Sequence, residues 1–278
     1  MFKSTMLIPH EKLKNWIKVF WFFEGEGNGN LTACQKIIPD GCATVFIVLD
    51  GEIDFTTYKN GKMKRGIYVH PPVMKSYYAH ASDDSYFIDI QLNPSVFYKL
   101  FNIEVDELID TMYTLDDLSI NIDTSFIERI YQYKNDKRKI YNELNAFLLE
   151  LFHKSNFNDK ESLCNINKLY KDGDLDAFFK AQNLSTRQVE RNLKKTTGLT
   201  PKALSRIGRF YSILDYIKFR EHNTEFKELA IEQNFSNHSH FIREFKSLTA
   251  STPKNFLNIN SEFPQYQGLC NLREFSKY

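Results

Sequence analysis

Residues 184–201 read LSTRQVERNLKKTTGLTP, and residues 235–253 read FSNHSHFIREFKSLTASTP. Set side by side, Arg191 meets Arg243, Leu193 meets Phe245, Lys194 meets Lys246, Thr200 meets Thr252 and Pro201 meets Pro253. The offset is 52 residues, with one extra residue near the start of the second copy. In each copy a serine can serve as N-cap, and in the first Gln188 stands three residues on, as a capping box requires. Val189 and Leu193, or Phe241 and Phe245, share one helical face at i and i+4. The opposite face of the first copy presents Arg187, Glu190, Arg191 and Lys194; the second presents Ser239, Ile242, Arg243 and Lys246. A lone basic amphipathic helix is usually a solvated surface helix. Two copies with the same polar face argue for a shared ligand.

The pattern S-H-F-x-R-x-F-K-(x)6-P of the second copy, preceded by a short helix and a turn, resembles the second DNA-reading helix of the AraC family of bacterial transcription regulators. The first copy, S-x-R-Q-V-E-R-x-L-K-K-x-x-G-L-T-P, is similar to the first such helix, and the resemblance covers roughly residues 160–258. It implies two helix-turn-helix units that bind promoter DNA, activation more often than repression, RNA polymerase as a partner, a homodimer and a cytoplasmic location. Asn183 and Asn234 stand where the family has glycine in the turn, and asparagine is the next residue to adopt φ > 0. A small residue belongs four positions earlier, so that the two helices can approach. Ala230 obeys this and Phe179 does not.

The 278 residues allow two domains with a core each. Residues 171–260 hold 15 Lys and Arg against 10 Asp and Glu, a balance of +5 that leaves −4 for the rest of the chain. A basic C-terminal part joined to an acidic N-terminal one suits a nucleic-acid reader attached to something else. No apolar run is long enough to span a bilayer. No N-terminal secretory pattern is present. The cysteines Cys34, Cys42, Cys164 and Cys270 form no C-x-x-C pair, which suits reduced, mostly buried thiols.

From about Trp16 to Leu92, runs rich in Val, Ile, Phe, Tyr and Thr alternate with P-D-G, D-G, N-G and P-P turn signals. Strands are expected at 16–24, 31–38, 42–49, 52–58, 62–69, 74–80 and 85–92. After Asn93-Pro94 the period becomes helical: short helices at 94–102 and 104–110, longer ones at 123–134 and 137–154. The stripe Ile140, Leu144, Phe147, Leu148 and Leu151 must either cover the β domain or face a second subunit. Further helices are expected at 160–170, 175–182, 186–196, 202–221, 225–233, 237–248 and 254–258. The fold class is therefore α+β. An N-terminal antiparallel β-barrel or sandwich with following helices precedes an all-α domain of two helix-turn-helix units joined by a long helix. The divisions are 1–122 (β domain), 123–159 (helical connector and linker), 160–260 (DNA-binding domain) and 261–278 (tail).

IPDGCATVFI (38–47), QLNPSVFYKLF (91–101) and TLDDL (114–118) resemble one subgroup of the cupin-like N-terminal domains of that family, which implies a sensor of a small-molecule effector. No residues can be assigned to an effector, because Trp21, Tyr77 and Tyr78 serve equally as core aromatics. His10, His70 and His80 lack the H-x-H element of a metal cupin, so no metal, cofactor or catalytic residue is assigned. Two rival readings remain. The barrel only oligomerises, or the chain is an enzyme targeted to DNA; the second lacks the P-C-H-R setting of the DNA-repair methyltransferases that share this reading domain.

For DNA reading, Arg187, Glu190 and Arg191 are base-edge candidates, since Arg pairs with guanine O6 and N7 and Glu accepts from cytosine N4. Asn237, His238, Ser239 and Arg243 take that role in the second copy. Lys194, Lys246 and Arg209 are expected at phosphates, which position without specifying. His238 and His240, at i and i+2, point apart on a helix and do not pair as metal ligands. The connecting helix, about 30 Å long at 1.5 Å per residue, compares with about 34 Å for one turn of B-DNA.

Overall fold

The computed structural model describes residues 2–25, 31–55, 61–108, 111–155, 160–219, 230–231 and 235–258. Among the described residues, ten strands form two antiparallel sheets. They are β1 (Phe2–Leu7), β2 (Ile17–Gly25), β3 (Leu31–Ile37), β4 (Ala43–Asp50), β5 (Ile53–Phe55), β6 (Lys62–Met63), β7 (Gly66–His70), β8 (Tyr77–Ser82), β9 (Tyr86–Leu92) and β10 (Tyr113–Thr114). Six run in the order β1-β2-β9-β4-β7-β10 and four in the order β3-β8-β5-β6. The expected strand at 62–69 is divided into β6 and β7. β1 and β10 were not expected: β1 is an edge strand with Lys3, Ser4 and Thr5 in its middle, and β10 is two residues within a loop.

The six-stranded sheet is buried on both faces, so its strands read as nearly continuous apolar runs. Val19, Trp21 and Phe23 of β2, Phe46 and Val48 of β4, and Phe87 of β9 face the four-stranded sheet. Phe20, Phe22, Ile47, Ile88 and Ile90 face the opposite way. The two sets alternate, as the pleat dictates.

That second face is covered by helices. Following α1 (Val96–Phe101), α2 (Thr124–Gln132) is capped by Asp123 and α3 (Lys137–Lys154) by Asp136. Ile140, Leu144, Leu148 and Phe152 of α3 lie in the same cluster as Phe20, Ile47 and Ile88, so α3 covers the barrel. It is pinned where the Tyr141 hydroxyl donates to the Ile8 carbonyl at 2.9 Å and Asn145 Oδ1 accepts from His10 N at 2.7 Å.

The remaining helices are α4 (Lys160–Asp172), α5 (Leu175–Lys180), α6 (Thr186–Thr197), α7 (Pro201–Phe219), α8 (His238–Thr249) and α9 (Pro253–Asn258). Of the helix expected at 225–233 only residues 230 and 231 are described, both helical. Asn234 and the tail 261–278 lie outside the described residues. Asn183 does not have positive φ, so the first turn closes without the left-handed residue expected there. Buried Phe178 supplies the core contact of α5, with Phe179 half-buried beside it.

The α-helical core is not self-contained. Ile38, from the loop after β3, is buried in the cluster of Leu204, Ile207, Phe210 and Phe245. A side chain at Gly41 would meet Leu204 Cδ1 at 3.2 Å. α7 runs continuously through Gly208, where an added Cβ would sit 2.1 Å from the carbonyl oxygen of Tyr170. That glycine lets the backbones of α4 and α7 touch.

Candidate nucleic-acid interface

Both copies of the repeat fold into helices of 12 residues, α6 and α8, and their ends correspond at the same 52-residue offset. Ser185 caps α6, and its hydroxyl and the Gln188 side chain complete a capping box. In α8 the cap is Asn237, not the serine before it; Asn237 Oδ1 accepts from His240 N at 2.8 Å. Ser236 instead bonds His240 Nδ1 at 3.1 Å. The extra residue of the second copy thus falls before the cap and leaves the helix in register.

The C-terminal ends match atom for atom. Thr197 Oγ1 donates to the Leu193 carbonyl at 2.7 Å and accepts from Leu199 N at 3.1 Å. Thr249 Oγ1 donates to the Phe245 carbonyl at 2.8 Å and accepts from Ser251 N at 3.1 Å. Each helix ends in a left-handed residue, Gly198 at φ 72° and Ala250 at φ 52°. Thr200 and Thr252 then cap the next helices through Ala203 N and Asn255 N.

With Val189 and Leu193, or Phe241, Phe245 and Leu248, buried, the opposite faces are exposed. Arg187, Glu190, Arg191 and Lys194 stand exposed on α6, and they border one open recess with Ser185 and Thr200. On and before α8, Asn237, His238, Ser239, Arg243 and Lys246 are exposed. Nine of the ten candidates therefore lie on the exposed faces of α6 and α8 or at their start, with the Asn237 side-chain oxygen engaged in capping.

Arg209 is the exception: its guanidinium is set against the second copy of the repeat. It lies over the Phe235 ring at 5.1 Å and within 3.5 Å of Glu244, with a quarter of its side chain exposed. Arg206 meets the same carboxylate at 3.4 Å and Ser247 Oγ at 2.7 Å, and His240 Nε2 approaches it at 3.3 Å. Glu244, only 14% exposed, therefore ties α8 to the connecting helix.

α6 also touches the N-terminal part. Lys195 pairs with Glu104, and Gly198 packs against Val105. Asp106, in the 3-10 turn Val105–Glu107, borders the recess that holds Arg187, Arg191 and Lys194.

The second contact between the two halves escaped sequence reading. A register shift between Ile17 and Val19 makes Lys18 the extra residue of a β-bulge, which turns its side chain out of the strand's alternation. Lys18 Nζ donates to the Tyr170 hydroxyl of α4 at 2.7 Å and lies 4.7 Å from the Tyr211 ring of α7. Burial works against its charge, but Cys42, Asp40, Tyr211 and Asp89 outweigh burial and hold the ammonium pKa above its ordinary value. Burial also pushes the Cys42 thiol up to about 12. Cys164, by contrast, is exposed.

Behind Asp40 and Cys42 a cavity opens between the two sheets. Trp21, Phe46, Phe55, Tyr77 and Phe87 form its walls, and Asp89 and Gln91 stand among them. Burial and the charge of Asp40 raise the Asp89 pKa well above the carboxylate range, and burial lowers that of His70 to about 3. Among the described residues no three His, Cys, Asp or Glu side chains gather as a metal site would require.

Two capped helices with equal ends, each glued by one face and displaying cations and hydrogen-bonding groups on the other, define a tandem helix-turn-helix protein. A family model described as a helix-turn-helix domain matches residues 179–259, and one described as a domain of unknown function matches residues 5–114. No curated protein matches the chain. Among solved structures, ToxT from Vibrio cholerae aligns at 12% identity over 93% of this chain and 98% of its own, with a TM-score of 0.43. A ToxT structure with an unsaturated fatty acid bound aligns at 14% identity over 92% of this chain and 94% of its own, also at a TM-score of 0.43. Residues 179–259 are a helix-turn-helix domain, the fold of a DNA-binding module.

Proposed function

We propose that the chain is a one-component regulator in which the barrel, residues 1–122, senses a small effector and residues 160–260 read promoter DNA. Arg187, Glu190 and Arg191 read base edges in one major groove. His238, Ser239 and Arg243 read the next, with Asn237 at the helix entrance. Lys194 and Lys246 hold phosphates. The protein acts in the cytoplasm as a homodimer, recruits RNA polymerase as an activator and performs no catalytic step. No described helix is long and apolar enough to cross a membrane.

The single observation that carries this reading is the correspondence of α6 and α8. Helices of equal length with matching C-terminal ends are separated by α7, whose 19 residues span about 28 Å at 1.5 Å per residue. Footprinting the full chain on DNA selected from a random pool tests it. Two protected tracts one helical turn apart on one face are expected, with affinity falling steeply between low and physiological salt. A single protected groove, or a flat salt response, would sink it.

A further inference from the structure

The barrel cavity has a chemistry of its own, and it selects among effectors. Asp89 lies on β9 in register with Trp21 on one neighbouring strand and Phe46 on the other. The pleat that sends Ile88 and Ile90 toward α3 sends Phe87, Asp89 and Gln91 into the cavity. Asp89 is 8% exposed, and its Oδ1 has no hydrogen-bond partner among the described residues. A buried carboxyl oxygen without a partner is costly, and it stands ready for a donor brought by a ligand.

The charge on the walls is one-sided. The described lining residues include two carboxyl groups, Asp40 and Asp89, and no Lys or Arg. Lys18, the nearby cation, is engaged by the Tyr170 hydroxyl and the Tyr211 ring on the side of the DNA-reading half. An anionic ligand would find no cation among the described walls and the Asp40 carboxyl beside it; a cation would meet a free carboxyl oxygen and aromatic faces, which attract ammonium groups. The space offers about 50 Å³ to the centre of a water molecule. Adding a water radius around it gives an envelope on the order of 200 Å³, suited to about ten non-hydrogen atoms.

We propose that this cavity binds a small organic ammonium with an aromatic or compact apolar body, which donates an N–H to Asp89 Oδ1 while its body lies between Trp21 and Phe46. The proposal rests on the reading of the barrel as a sensor and names the class of its effector. Binding displaces a proton from Asp89 to solvent, because the incoming charge replaces the proton that burial and Asp40 hold there. The titratable groups facing Asp89 are Asp40 and Cys42 just before β4, Lys18 of β2 and His70 of β7.

The test is a thermal-shift and calorimetric titration of the full chain with three probes of one shape: 2-phenylethylamine, 2-phenylethanol and 3-phenylpropanoate. The amine should raise the melting temperature and the acid should not. Calorimetry in buffers of different ionisation enthalpy should show proton release on amine binding, a readout that needs no variant. Asp89→Asn, isosteric and checked for folding by circular dichroism, should weaken the amine at least tenfold and leave the alcohol unchanged. Stabilisation by the acid or the alcohol but not the amine overturns the ligand class and leaves the sensor reading standing. An amine response unchanged in Asp89→Asn overturns the assignment of Asp89 and with it the proposal. No response to any probe overturns both the class and the sensor reading.

Discussion

Arg209 of α7 and Glu244 of α8 lie 3.5 Å apart, and they join the connecting helix to the second reading helix across 35 residues of chain. Glu244 is mostly desolvated, and Arg206 shares it at 3.4 Å. Removing the carboxylate leaves two partly buried guanidinium groups facing each other, which costs more than the pair itself contributes. Glu244→Ala is therefore expected to lower the melting temperature and to weaken DNA binding together. Arg209→Ala should destabilise the fold yet leave the slope of log affinity against log salt unchanged. A phosphate-contacting cation would lower that slope by about 1. A lowered slope for Arg209→Ala would show that it contacts a phosphate as well.

The exposed arginines and lysines of the two reading helices should separate in the same assay. Arg191→Ala or Arg243→Ala is expected to lose on the order of 1–3 kcal/mol on the preferred site and to relax base preference there. Lys194→Ala or Lys246→Ala should weaken all sequences alike. Equal losses on selected and random DNA for the arginine variants would show that they do not read bases.

The two C-caps offer a paired stability experiment. Ala250 holds φ at 52° with a Cβ, whereas its counterpart Gly198 holds 72° without one. Ala250→Gly should raise stability by about 0.5–1 kcal/mol through relief of left-handed strain. Gly198→Ala should lower it, because the same strain is joined by a contact at 3.1 Å with Val105. Urea denaturation of both variants checks the signs, and a stabilised Gly198→Ala would contradict them.

His70 should leave a mark on the pH dependence of folding. Burial holds its folded pKa near 3, below the ordinary value of 6.5. Between those values the unfolded chain binds a proton that the folded chain does not. Stability is therefore full above about pH 6.5 and falls as pH drops toward 3, at up to about 1.4 kcal/mol per pH unit from this group. His70→Leu should flatten the decline between pH 6.5 and 5 relative to the unaltered protein. Parallel profiles would show that His70 titrates normally.

Much of this was legible in the sequence, for reasons that differ by residue. The caps and apolar stripes of α6 and α8 are local, so the repeat was sufficient to place Ser185, Val189, Leu193 and Arg191. The strands of the barrel declared themselves through turn dipeptides, with Gly41 and Gly51 in the left-handed region as P-D-G and D-G require. What was missed depends on partners far along the chain. Gly208 reads as a weak point in a helix, and becomes intelligible only once the Tyr170 carbonyl lies against it. Lys18 reads as a surface lysine within an apolar strand until a bulge and two tyrosines from distant helices enclose it. Arg209 lies on a helix whose inward face is defined by α8, and nothing local marks its turn toward Glu244. Asp89 looks like a solvent position in an alternating strand, because the pleat alone does not reveal which face opens onto a cavity.

The continuity of α7 can be broken deliberately. Two alanines inserted between Ser212 and Ile213 lengthen it by only about 3 Å but rotate the second reading unit by roughly 200° relative to the first. Provided circular dichroism and melting show a folded protein, the footprint should shrink to one groove. A full footprint at normal affinity would mean that the two readers are not phased by the helix.

A stiff connector also constrains the other molecule. If α7 fixes the separation of α6 and α8, any promoter that this protein recognises must carry its two informative base clusters about ten base pairs apart, centre to centre. The intervening bases are then free to drift except where they stiffen or bend the duplex. Five base pairs added between the clusters would leave every contacted base intact and still turn one cluster to the far side of the helix. Read across many promoters, the signature of this protein would be a fixed interval rather than a long conserved word.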